Sequence, residues 1–141
     1  MSNNTQKQKI REMTMQLIYQ MDATGDFDYS NLSVLDEDSS AMDEVQTVKV
    51  LEAIRDHITE IDSVISACLD KWTIERVSRT DLAILRNAVC EMMYIDDLPA
   101  NISISEAVRM SHIYGDEKSY AFVNSVLSKT NRYLKDRKAD V

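Results

Sequence analysis

A chain of 141 residues, 44% hydrophobic and 28% charged with a formal net charge of −8, is the length of one domain with a sizeable core and too short for two independent ones. No apolar run approaches the roughly 20 residues of a membrane span, and the polar start lacks the apolar stretch of a signal peptide, so a cytoplasmic protein is expected. The charge argues against a protein that holds nucleic acid by overall attraction for phosphates. Two glycines and one proline leave little turn chemistry, and no run alternates convincingly between apolar and polar, so the chain is expected to be all-α.

Taken in order, Thr5 and Gln8 form a capping-box pattern that opens a first helix, whose inner face is Ile10, Met13, Leu17, Ile18 and Met21. Lys7 and Arg11 share another face, and Lys9 lies on the far side of the turn. From Asp22 to Glu44 the sequence is acidic and irregular; a short helix laid across the bundle and an unpatterned loop are both compatible with it. Its carboxylates lack the glycine and distal glutamate of a calcium loop, so no metal is expected. Ser40 can cap a helix running to about His57, and Thr59 with Asp62 opens another that reaches Trp72, whose indole is expected to plug the junction between two bundles.

The next helix is expected from about Thr80, as its cap, to Tyr94, with Leu82, Ile84, Leu85, Ala88, Val89, Met92 and Met93 at helical spacing. Pro99 forces a connection over residues 96–102. Ser103 and Glu106 read as a capping box for a helix that stops at Gly115, where a left-handed residue is expected. Asp116 or Ser119 starts the last helix, which carries Tyr120, Val123 and Leu127, with Phe122 and Val126 on an adjoining strip, and runs out into a charged, solvated tail.

Catalytic chemistry finds few candidates. Cys68 and Cys90 lack C-x-x-C spacing and read as core residues. His57 and His112 fall near helix C-termini, where an imidazolium suits the dipole, and neither has a zinc spacing to a cysteine. Two isolated glycines cannot build a phosphate-cradling loop. Arg86 and Glu106, inside otherwise apolar helices, are expected to pair with each other across two helices. These features point to a binding protein without enzymatic activity, metal or cofactor. Charge distribution is more informative than its sum: residues 1–70 hold five Lys or Arg against 14 Asp or Glu, a net of −9, whereas residues 71–141 hold 11 against 10. Within the first half Lys7, Lys9 and Arg11 stand together, and no cation follows until Lys49. Three such residues at a helix start can be solvated decoration or a small phosphate-binding group.

Several strings, in this order and spacing, resemble the NusB family of bacterial antitermination factors. They are Ala83, Ile84, Leu85 and Arg86, then Glu91, Asp97 and Pro99, then Ile104, Glu106, Ala107 and Val108, then Gly115, and finally Phe122, Val123, Asn124, Val126 and Leu127. Ser105, Ser125 and Cys90 depart from the family pattern, each with a small residue that preserves close packing. Upstream, Arg11, Glu12, Gln16, Tyr19 and Gln20 match the family's first helix, and Asp70, Trp72 and Arg76 extend the likeness over nearly the whole chain.

The resemblance implies a single compact domain, 1–141, of two small packed helical bundles, about 5–70 and 71–136, with about seven helices. It further implies a factor that pairs with the small-subunit ribosomal protein NusE, binds boxA-type single-stranded RNA of ribosomal RNA leaders and joins the RNA polymerase antitermination complex. By motif, the RNA side comprises Lys7, Lys9, Arg11 and Gln16 with Lys118, Ser119 and Phe122, and the partner side comprises Glu75 and Asp81. For Phe122, a stacked base and a core role are both open, and Tyr19 reads as an aromatic on a half-buried helix face. A homodimer is compatible with the sequence. The alternative is an interaction module of the same fold without boxA binding, related to the helical domain that precedes ribosomal RNA cytosine methyltransferases.

Overall fold

The computed structural model describes residues 3–28 and 45–139. The expected cap at Ser40, and most of the acidic segment, lie outside the described residues. Among those described, the chain is all-helical, with α1 (Asn3–Thr24), α2 (Val45–Ala67), a 3-10 turn (Ile74–Arg76), α3 (Arg79–Tyr94), α4 (Ala100–Tyr114) and α5 (Ser119–Ala139). That is five α-helices where about seven were expected. Part of the difference is α2, which joins two of the expected pieces across a kink at His57, where φ is −130° and ψ 22°. The ring of His57 stacks on Tyr94 at 4.3 Å, so the kinked residue is held by α3 instead of capping a separate helix.

α3 is the centre. Every residue from Asp81 to Glu91 is buried, and the helix packs against α1, α2, α4 and α5. A helix enclosed on all sides is ordinarily apolar all round. Here its apolar residues, with Ile84, Leu85, Val89 and Cys90 fully enclosed, join Leu17, Ile18 and Met21 of α1, Leu51, Ile54, Ile61 and Ile65 of α2, Met110 of α4 and Leu127 of α5 in one core. Burial pushes the Cys90 thiol up to about 12, and its Sγ donates to the Val50 carbonyl, so it is an inert core residue. On the same face of α1 as Ile18 and Met21, buried Thr14 and Thr47 of α2 satisfy each other at 2.9 Å.

Local signals erred where tertiary partners competed for the same side chain. The cap of α3 is Ser78, whose Oγ accepts from the Asp81 N–H at 3.1 Å, and Thr80 lies inside the helix. α4 begins directly after Pro99, whose carbonyl accepts from the N–H groups of Ile102 and Ser103. Ser103 is therefore one turn inside, buried, and donates to Glu91 at 2.9 Å instead of forming a capping box with Glu106. Asp62 likewise sits within α2 and grips Arg86. Gly115 is extended, with φ −88° and ψ −176°, and glycine is needed there for space: a Cβ would fall 2.4 Å from Ser119 Oγ. The left-handed glycine is Gly25, at φ 72°. Trp72 is 55% exposed and plugs no junction.

Candidate nucleic-acid interface

Of the buried charged residues of α3, Arg86 is neutralised by partners other than the Glu106 expected for it, and Glu91 begins a separate network. Arg86 makes a two-pronged contact with Asp62 at 2.9 and 2.8 Å and lies 3.2 Å from Asp22. Asp22 also receives Arg79 at 2.8 Å, and Phe27 packs 6.0 Å from the Arg86 guanidinium. Burial acts to lower the Arg86 pKa, and the two aspartates more than reverse it, so the group stays a cation. No contact joins it to Glu106, which belongs to a second network one helix away.

That network runs from the core to the surface. Glu91, 3% exposed, accepts from Ser103 and from Arg11 Nε at 3.2 Å, and Arg11 Nη1 reaches Glu106 at 3.5 Å. Glu106 holds Arg109 at 2.6 Å; Arg109 donates to Glu12 at 2.9 Å and to the Gln8 carbonyl at 3.3 Å; Glu12 accepts from the Tyr114 hydroxyl at 2.9 Å. Burial raises the pKa of Glu91 against the opposing pull of Arg11 and Ser103. Burial and the Glu12 carboxylate raise that of Tyr114. The chain of alternating charges fixes α1 against α3 and α4.

The structure separates the sequence-derived RNA residues into free and engaged groups. Lys7, Lys9 and Lys118 are exposed. Arg11 has only 15% of its side chain exposed and is committed to Glu91 and Glu106. Ser119 is buried, and its Oγ accepts from the Asp116 N–H at 3.0 Å, closing the turn ahead of α5. Phe122 is half-buried and packs against the core. On the partner side, Glu75 is exposed in the 3-10 turn. Asp81 is 8% exposed, with its pKa raised by burial despite hydrogen bonds from Ser119 and Ser78.

Two hollows flank α1. One, about 320 Å³, is lined by Met15, Gln16, Tyr19, Gln20, Thr80 and Tyr114, with both tyrosines exposed at its rim. The other, of the same volume, is bordered by Lys7, Ile10, Arg11 and Gln46 on one side and by residues 95–98 on the other. Asp97 there adopts φ 63°, which a short polar side chain tolerates. Lys9, Glu12, Gln16 and Gln20 recur at offsets of three, seven and eleven residues, one face of α1, and that face leads into the first hollow. Tyr114 closes it from α4, where its hydroxyl donates to Glu12 of α1, and stands four residues before Lys118. From sequence, Gln20 matches only the family's first helix, Thr80 reads as a cap and Tyr114 is missed, because the three converge from different helices.

An aromatic-rimmed hollow beside exposed lysines is suited to unstacked bases and phosphates. The model of the NusB family matches residues 8–132. The transcription antitermination protein NusB of Oceanobacillus iheyensis is 40% identical over 128 residues, covering 87% of this chain and 96% of that one. Its counterpart in Bacillus mycoides is 41% identical over 120 residues, covering 84% and 91%. Among solved structures, T. maritima NusB matches with a TM-score of 0.75 at 26% identity over 89% of each chain. A chain from the crystal structure of antitermination factors NusB and NusE in complex with dsRNA has the same fold, with a TM-score of 0.71 at 24% identity over 90% of this chain and 96% of that one. With sequence and architecture agreeing over nearly its full length, the chain belongs to the NusB family.

Proposed function

We propose that this protein is a transcription antitermination factor of the cytoplasm that acts by binding and not by catalysis. Together with the ribosomal protein NusE it binds boxA-type single-stranded RNA in ribosomal RNA leader transcripts, within the RNA polymerase antitermination complex. Relatives at 40% and 41% identity bear the name transcription antitermination protein NusB. The observation that carries the reading is the hollow between α1 and α4, where Tyr19 and Tyr114 face solvent beside Gln16 on the helix that bears Lys7 and Lys9.

Bases stack on exposed tyrosines and amide side chains read their edges, while Lys7, Lys9 and Lys118 take phosphates. Arg11 contributes by holding the RNA-facing helix in place through Glu91 and Glu106. Three exposed cations on a chain of net charge −8 give weak binding alone, and a basic partner seated near Glu75 and Asp81 would extend the positive surface. The test is binding of boxA-type RNA against a scrambled strand with NusE present. Tyr114→Ala is expected to weaken boxA binding by about 1–3 kcal/mol without altering its salt dependence. Equal binding of both strands by parent and variant would leave an interaction module without boxA recognition.

A further inference from the structure

The second half of α5 reverses the charge of the molecule. Residues 129–138 carry Lys129, Arg132, Lys135, Arg137 and Lys138 against the single carboxylate of Asp136, in a chain of net charge −8. Part of this set continues a line that starts at the proposed RNA site. Counting from Lys118, the residues at offsets of four, seven, eleven and fourteen are Phe122, Ser125, Lys129 and Arg132, which places them along one face of the helix. At 1.5 Å per residue the line is about 21 Å long, the reach of a few nucleotides.

This face is open. Lys118, Ser125, Arg132 and Tyr133 are exposed, and Phe122 and Lys129 are half-buried. Lys129 is held by the Asp70 carboxylate, itself 73% exposed, an ion pair that a phosphate can replace at little cost. Arg132 makes no ion pair among the described residues. Lys129, Arg132, Tyr133 and Asp136 line a hollow of about 240 Å³ against Ala67 and Cys68 at the end of α2. Tyr133 forms one wall, with the Arg137 guanidinium 5.6 Å from its ring. Asp136, one turn beyond Arg132, closes the line with the opposite charge.

We infer that the exposed face of α5 from Lys118 to Arg132 and Tyr133 is a track for single-stranded RNA flanking the boxA element, with Lys129 and Arg132 on its phosphates. The feature that favours RNA over an acidic protein segment is the interleaving of cations with aromatic rings, Lys118, Phe122, Lys129, Arg132 and Tyr133, along a face that begins four residues after Tyr114, a wall of the α1 hollow. The track rests on the RNA-binding reading above, and the two fail separately in the experiment below.

Binding is measured with NusE present for boxA-type RNA alone and for the same RNA extended by about eight uridines on its 5′ or its 3′ side, within the range of single-strand site sizes. In the parent, one extension is expected to tighten binding and steepen its salt dependence. Lys129→Ala with Arg132→Ala should bind the short RNA as the parent does. On the favoured extended RNA it should lose about 1.4 from the slope of log affinity against log salt, for two phosphates at about 0.7 each. Between 50 and 200 mM salt, the advantage of the parent then shrinks by about sevenfold. Lys129→Arg with Arg132→Lys should keep the slope. The track is overturned if neither extension changes the parent's affinity, or if the alanine pair binds every RNA as the parent does. It is equally overturned if that pair loses NusE binding and leaves RNA slopes unchanged, which would make the face a protein contact. Failure of the short RNA to bind at all strikes the boxA reading instead.

Discussion

The middle and the C-terminal part of α3 solve the same problem differently. Near its middle, Arg86 is one cation clasped by two aspartates from α1 and α2, with Phe27 beside it, and among the described residues no ion pair or hydrogen bond leads from it to the surface hollows. Near its C-terminus, Glu91 is one anion at the start of a relay through Arg11, Glu106, Arg109 and Glu12 that ends on the hydroxyl of Tyr114. The first arrangement fastens helices together. The second also sets the position of the wall against which RNA is proposed to stack, so damage to it should be felt in binding as well as in stability.

The largest effect should come from Arg86→Ala, which takes the guanidinium from Asp62 and leaves Asp22 with Arg79 alone. A loss of about 3–5 kcal/mol is expected in denaturant unfolding, with RNA affinity unchanged at temperatures where the variant is folded. If RNA affinity falls as it does for a lesion in the relay, the distinction between fastening and positioning disappears. Leu85→Ala, at a fully buried position in the same helix, supplies a purely apolar reference of roughly 2–5 kcal/mol.

Glu91→Ala should cost about 2 kcal/mol, less than Arg86→Ala because Arg11 retains Glu106. It should also weaken boxA binding through α1 and Tyr114. The conservative Glu91→Gln isolates the charge. Because burial raises the pKa of Glu91 in the folded protein above the ordinary 4.5, the folded state binds more protons than the unfolded one in that range. Its contribution is therefore fully present below about 4.5 and is lost as pH rises through the raised value. Melting temperature in the parent should fall over that window, and the Gln variant should lose part of the slope. An identical slope in both would mean that Glu91 is not the group responsible; Asp81, raised in the same direction, would be the next to substitute.

The smallest stability effect belongs to Lys7→Ala with Lys9→Ala, exposed cations outside both networks, expected to change stability by less than about 0.5 kcal/mol. The same pair should lower the salt slope of RNA binding by about 1.4. A stability loss comparable to that of Glu91→Ala would show that these lysines, like Arg11, serve the fold.

The all-helical class, the heart of α3, the break at Pro99 and the buried faces of α1 and, apart from the exposed Tyr120, of α5 were legible because apolar spacing and proline geometry act locally, within one helix. The NusB resemblance was legible for a related reason: those spacings preserve the packing of successive helices, so they survive as strings. The roles of polar residues were not. Ser103 and Glu106 have the pattern of a capping box, yet Ser103 bonds to Glu91 and Glu106 to Arg109 and Arg11. Arg11 has the pattern of an exposed basic residue, and most of its side chain is enclosed. Trp72 has the composition of a core residue and faces solvent. The sequence by itself determined which stretches coil and which faces turn inward. The tertiary structure decided which charges meet, because a hydrogen bond between residues 80 to 102 positions apart leaves no periodic trace in the chain and depends on how helices pack once their apolar faces are joined.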